Sequence, residues 1–277
     1  MMDIQLFHIF RNTPLGRETL FQSLYFCKSV GVSPCIYIPE HVKFLMYFEN
    51  DVVQVDLDSS YLTSPETALD HAREISAQQG VKPRYFTPKN FTASTLPDIP
   101  TNFEFMCCPR SISDLSSKIG LGYIGPRVRG IVRSAQFPVL LTNSVFKKWT
   151  RIAVFFGGSG NSVKAVKLGY RIKRETGFPL EVFTQIEKGR SPDYYKKVFK
   201  QEGLGKEKSG LVDKWHFFNS PKFEENLYAV PHDALVITGA YGHNVVKEIL
   251  FGSKLETIQS ILTNNMLIVG PNYTATI

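Results

Sequence analysis

The chain has 277 residues, 43% of them hydrophobic and 21% charged, with a formal net charge of +7. It is long enough for one large or two modest domains with a packed core. No apolar run approaches the roughly 18 residues of a membrane span, and Met1-Met-Asp-Ile-Gln5 lacks the basic start and apolar stretch of a signal peptide, so a cytoplasmic protein that is not membrane-embedded is expected.

The chain reads as one pattern written twice. Leu6-Phe-His-Ile-Phe10 opens the first half as an apolar strand. A helix near Arg17 to Val30 places Leu20, Phe21, Leu24, Cys27 and Val30 on one face and stops at Gly31. A strand from Ser33 to Ile38 follows. An insertion near His41 to Leu62 comes next, within which Val52-Val-Gln-Val-Asp-Leu57 alternates like an extra strand. Ser64-Pro65 reads as N-cap and first helical residue of the next helix. Strands are then expected at Arg84–Phe86, Phe103–Cys107 and Pro138–Thr142.

After a joint near Val145 to Thr150 the order repeats. Ile152-Ala-Val-Phe-Phe156 is the strand, and Ser162 to Thr176 the helix, with Val163, Val166, Tyr170 and Ile172 inward and Gly177 as its stop. A strand at Leu180–Ile186, a helix opened by Ser191-Pro192, and strands at Trp215–Phe218, Ala234–Thr238 and Met266–Val269 complete the copy. Strands alternating with helices predict an α/β fold with mostly parallel sheets covered on both faces. The repetition predicts two tandem, doubly wound, five-stranded domains over 1–146 and 150–272.

Cys27, Cys35, Cys107 and Cys108 have no metal-ligand spacing and read as buried reduced thiols. The histidines are equally scattered, so no metal site is expected. The positive charge is interleaved with acids, as in Lys206-Glu-Lys208 and Lys222-Phe-Glu-Glu225. It reads as a solvated surface and not as a footprint for nucleic acid.

The strongest chemical signal lies near the end. The strand at Ala234–Thr238 runs into Gly239-Ala-Tyr-Gly242; nine residues later stand Gly252-Ser253, opening a helix-like stretch with Glu256 placed to complete a capping box on Ser253. Strand, glycine turn and helix start bring backbone N–H groups against a phosphate chain. This Gly-x-x-Gly, nine residues, Gly-Ser spacing resembles the nucleotide-binding signature of the universal stress protein family, and the tandem pattern extends the resemblance over essentially the whole chain.

The resemblance implies a Rossmann-type fold holding ATP, or AMP or ADP, with or without Mg, at the carboxyl edge of the second domain's sheet. Carried over residue by residue, Gly239 and Gly242 lie beside ribose and phosphates. Gly252, Ser253 and the amide of Lys254 meet the phosphates, and His243 sits within the motif. Where the family has Asp-Gly-Ser after the first strand, this chain has Phe156 followed by Gly157-Gly-Ser159. The adenine-edge contact falls near Gln185. Tyr241 lies within the loop, as a packing residue or a ligand flank. In the first half the Gly-Ser step is replaced by Gly125-Pro126 and the glycine pair by Ile112 and Leu115, and proline has no N–H to offer. That half is expected to be structural; Arg110, Arg127, Arg129 and Arg133 around its altered loop either attract an anion or are simply solvated.

The implied function is a cytosolic, stress-related regulatory protein that binds an adenine nucleotide and is read by a protein partner, such as a transporter component. Its two halves are expected to pair with each other or to support a homodimer. No catalytic residues are assigned, and turnover would be at most that of a weak ATPase. A nucleotide-independent interaction module is the alternative.

Overall fold

The computed structural model describes residues 5–92, 95–109, 124–143, 145–205, 210–220, 222–241, 257–258 and 261–274. The chain divides into two compact units, Met1–Lys148 and Trp149–Ile277.

The first unit begins with β1 (Gln5–Ile9), α1 (Pro14–Val30) and β2 (Ser33–Tyr37). The insertion adds β3 (Lys43–Phe48), β4 (Asp51–Asp56) and a short 3-10 turn. Then come α2 (Pro65–Gln78), β5 (Arg84–Phe86), β6 (Phe91–Thr92), β7 (Leu96–Ile99), β8 (Phe105–Pro109), α3 (Pro126–Ser134) and β9 (Val139–Thr142). The main sheet has the order β9-β8-β1-β2-β5, every pair parallel. Thr13 caps α1 by accepting from Gly16 N, and Gly31 ends it at φ 72°, the left-handed conformation a C-cap glycine supplies. Leu20, Leu24, Cys27 and Val30 are buried as their spacing requires, while Phe21 stays partly covered.

The insertion is larger than its sequence suggests. β3 and β4 form a hairpin, β7 pairs in parallel with β3, and β6 pairs with β7, giving a second sheet β4-β3-β7-β6. Ser64 and Ser191 stand at the N-cap positions expected, but neither side chain caps its helix. Ser64 is instead in the left-handed region at φ 51°, with its carbonyl accepting from the Asn12 amide.

All four cysteines are buried and unpaired. Burial pushes Cys35 up to about 11 and Cys107 up to about 12, so they are thiols at neutral pH. His8, in the middle of β1, is 1% exposed, and neither ring nitrogen has a hydrogen-bond partner among the described residues. Burial drives its pKa down to about 3.

The second unit consists of β10 (Arg151–Phe155), α4 (Gly160–Thr176), β11 (Leu180–Gln185), α5 (Pro192–Gln201), β12 (Lys214–Phe218), α6 (Phe223–Leu227), β13 (Ala234–Gly239) and β14 (Met266–Val269). Its sheet has the order β12-β11-β10-β13-β14 and is again wholly parallel. Both sheets therefore follow the doubly wound order 3-2-1-4-5. Right-handed crossovers in that order place helices on opposite faces on the two sides of the first strand. α4 lies close enough on its sheet that a Cβ at Gly169 would come within 2.7 Å of Val154 Cγ2.

Candidate functional site

In a doubly wound sheet, the chain leaves the first strand for one face and the fourth for the other. The gap between their carboxyl ends is the crevice where ligands bind. In the second unit those strands are β10 and β13. β10 delivers Phe156-Gly157-Gly158-Ser159, and α4 begins at the next residue. Ser159 caps α4, its Oγ accepting from Ser162 N at 3.2 Å while the Ser162 hydroxyl donates to the Ser159 carbonyl at 2.7 Å. The positive end of a 17-residue helix dipole therefore opens on the crevice. Gly158 turns with φ +79°, a conformation glycine adopts without strain. A Cβ built on Gly157 meets nothing within 4 Å, so this stretch presents bare backbone to open space. An anion or sugar can approach such a main chain as closely as van der Waals radii allow; that cradle fits the triphosphate ligand the resemblance implies.

Gly239 does different work. A Cβ there would fall 2.5 Å from the carbonyl carbon of Asn161, 2.6 Å from its oxygen and 2.8 Å from Ser162 N. The absent side chain lets the end of β13 rest directly on the first turn of α4. The Asn161 amide then donates to the Ala240 carbonyl, and Ala240 N donates to Val269 O at 2.8 Å. Tyr241 follows at φ 57°, a conformation that costs a bulky residue about 1 kcal/mol or more and that clusters at functional turns. Gly242, His243, Gly252, Ser253 and Lys254, together with the Ser253–Glu256 capping box, lie outside the described residues.

Two expected contacts are engaged elsewhere. The Phe156 side chain is 1% exposed and packs edge-on against Phe199 and Trp215, with ring centroids 5.3 and 5.8 Å away. Its N–H and carbonyl are satisfied by Phe183 O and the Thr184 hydroxyl. Phe156 is thus a core residue that positions the glycines after it. Gln185 uses its amide nitrogen on the carbonyls of Ser220 (2.9 Å) and Phe218 (3.3 Å), and its amide oxygen accepts from Asn226 (2.7 Å). The side chain expected at the adenine edge therefore pins the loop leaving β12.

Other residues at this edge carry no motif signal. Tyr194, 39% exposed, lies against Gly158, with its Cε1 3.8 Å from a Cβ built there. The Arg190 guanidinium stacks over the Tyr194 ring, 4.4 Å from its centroid. Lys164, in the first turns of α4, donates to the Pro271 carbonyl at 2.7 Å; burial lowers its pKa, and none of the described carboxylates pairs with it. Asn161 and Lys164 stand three apart on the helix after the glycine loop, a spacing readable in advance. Tyr194 reaches Gly158 only through the tertiary fold.

At the corresponding edge of the first unit, the residues that follow β1 are engaged by other side chains. Arg11, just beyond β1, pairs with Asp58 at 3.5 Å and lies over the Tyr61 ring. Asn12 is 7% exposed; its amide nitrogen donates to Ser64 O and the Thr67 hydroxyl, and its oxygen accepts from Arg17 (3.3 Å) and His71 Nδ1 (2.8 Å). Arg17 and His71, thus oriented, line a groove of about 430 Å³ between α1 and α2, beside Glu18 and Glu74. The arginines near the altered loop are answered as well. Arg127 pairs with Asp56 at 3.0 Å and Arg133 with Asp51 at 3.9 Å, while Arg129 Nε donates to the Ile124 carbonyl. Burial pushes the Asp56 carboxyl up, but hydrogen bonds from Arg127 and Gln54 and the charges of Arg127 and Lys43 outweigh it and hold the group below its ordinary value. The inserted hairpin thus supplies acids to Arg127 and Arg133, two of the cations expected either to attract an anion or to be solvated. Arg110, Ile112 and Leu115 lie outside the described residues.

Among the described residues no group of three or more His, Cys, Asp or Glu could hold a metal ion, and no helix is long and apolar enough to cross a membrane. No family model matches the sequence, and no curated protein matches it either. Solved structures share its fold. A universal stress protein from Archaeoglobus fulgidus DSM 4304 superposes with a TM-score of 0.63 at 14% identity, over 98% of this chain and 99% of that one. A putative universal stress protein from Pseudomonas aeruginosa UCBPP-PA14 gives 0.57 at 11% identity, over 98% and 94%. A functionally unknown protein from P. aeruginosa PAO1 gives 0.55 at 11% identity, over the same shares. The fold is that of the universal stress proteins.

Proposed function

We propose that the second unit is a nucleotide-binding module holding ATP or a related adenine nucleotide, with or without Mg, in the crevice between the carboxyl ends of β10 and β13. The observation that carries this reading is the open main chain at Gly157, at the reversal of strand order and at the head of α4. The Gly-x-x-Gly, nine residues, Gly-Ser spacing that begins at Gly239 supports it at the level of sequence. The first unit, with Arg11 and Asn12 after its first strand engaged by their neighbours, has a structural role. Binding rather than turnover is the proposed activity, and a cytoplasmic, stress-related regulatory role with a protein partner follows from the shared fold by analogy.

Gly157→Val tests the site without disturbing the fold. The added side chain enters open space, and the residue is outside the left-handed region. Circular dichroism and the thermal midpoint are expected to stay as in the parent, while ATP affinity by calorimetry falls on the order of a hundredfold, the loss expected when a close backbone approach is blocked. Unchanged affinity would refute the placement. Absence of any adenine nucleotide binding by the parent protein, in solution or as a co-purified ligand in native mass spectrometry, would favour the nucleotide-independent interaction module.

A further inference from the structure

Resting on that reading, we propose that Tyr194, with Arg190 stacked on it, is the platform that receives the planar base of the nucleotide, in the place where the resemblance implied Gln185. Three observations converge. Gln185 cannot offer a free amide, because both ends of that group are bound by Ser220, Phe218 and Asn226. Tyr194 is a large aromatic side chain left substantially exposed, and its ring edge borders the Gly158 turn, next to the bare backbone of Gly157. The ring is also held in place. Tyr195, buried and packed edge-on against it at 5.1 Å, accepts from Glu187 N at 3.1 Å, fixing the loop between β11 and α5. Glu187 in turn pairs with Arg190 at 2.9 Å, holding the guanidinium plane 4.4 Å above the Tyr194 ring.

An aromatic ring and a guanidinium plane each present a flat, polarisable surface on which a base stacks. Because Glu187 neutralises Arg190, the pair is suited to a planar neutral ring and not to a phosphate. The ligand class is therefore a purine or similar base, oriented with its base end over α5.

The test compares adenosine, ATP and inorganic tripolyphosphate by calorimetry on the full chain, for the parent, Tyr194→Ala and Tyr194→Phe. Tyr194 is exposed and makes no buried hydrogen bond, so both variants are expected to fold; circular dichroism checks this. Tyr194→Ala is expected to weaken adenosine and ATP by the same factor, about tenfold or more. Tripolyphosphate is expected to be unaffected, and Tyr194→Phe to retain parental affinity. ATP binding by the parent that Tyr194→Ala leaves unchanged overturns this assignment alone. So does a loss that extends equally to tripolyphosphate. Failure of the parent to bind either adenine compound overturns the nucleotide reading and this assignment with it.

Discussion

Gly239→Ala is expected to destabilise the second unit by about 2–3 kcal/mol, the upper part of the range for overpacking a tight interface. The new methyl would sit 2.5 Å from the Asn161 carbonyl carbon and 2.8 Å from Ser162 N. Neither is the end of a flexible side chain; both belong to the backbone of a helix that lies tightly against its sheet. Relief requires the end of β13 to lift from α4, which also breaks the bond from the Asn161 amide to Ala240 O. Urea denaturation followed through Trp149 and Trp215, both in this unit, measures the effect. Set beside Gly157→Val, the variant separates two uses of one residue type. The first glycine exists for packing, and its loss is read as stability; the second leaves space open, and its loss is read as affinity. A change below about 0.5 kcal/mol in Gly239→Ala, the scatter of ordinary surface substitutions, would show that the close approach of β13 to α4 is not maintained in solution.

His8→Leu is expected to stabilise the first unit, and to do so more strongly in acid. The imidazole is fully buried without a partner for either nitrogen among the described residues, and burial keeps it neutral in the folded chain down to about pH 3. In the unfolded chain it takes up a proton near the ordinary value of 6.5. Above pH 6.5 both states are neutral and ionisation contributes nothing. From 6.5 down towards 3 only the unfolded state binds the proton, so stability falls by ~1.4 kcal/mol per pH unit, or ~2 kcal/mol by pH 5. Leucine has similar bulk and no proton to gain. At pH 8 the variant is expected to gain about 1–3 kcal/mol from removing unsatisfied buried nitrogens. The difference from the parent should then widen by ~2 kcal/mol at pH 5. Urea titrations by circular dichroism at the two pH values measure this; an equal difference at both would mean that water or another acceptor reaches the ring, so that the folded state takes up the proton as well.

Much of the architecture was legible because it rests on local rules applied twice. The alternation of strand and amphipathic helix, the stops at Gly31 and Gly177 in the left-handed conformation, and the strands at Arg84–Phe86 and Met266–Val269 all appear where their patterns put them. The strand expected at Phe103–Cys107 runs instead over Phe105–Pro109, because Phe103 turns its ring onto Phe7 at 4.4 Å rather than entering the ladder. Of the second, four-stranded sheet only one strand is read from the sequence, within the insertion that holds β3 and β4. Its β3 joins β7 across some fifty residues, and β6 is a two-residue strand, so no local period reveals the sheet. Ser64 and Ser191 occupy cap positions by the local rule, yet tertiary hydrogen bonding decides what Ser64 does. At the candidate site two of the expected glycines, Gly157 and Gly239, stand in opposite surroundings. Spacing alone cannot tell a glycine needed for contact from one needed for emptiness, nor show that Gln185 has found partners around the loop leaving β12.

The hairpin of the first unit has a consequence for salt dependence. Arg127 and Arg133 carry counter-ions tethered to the same polypeptide, Asp56 and Asp51. A free anion has to compete with those carboxylates for either guanidinium. Both pairs are partly exposed, so added electrolyte screens them and lowers that competition.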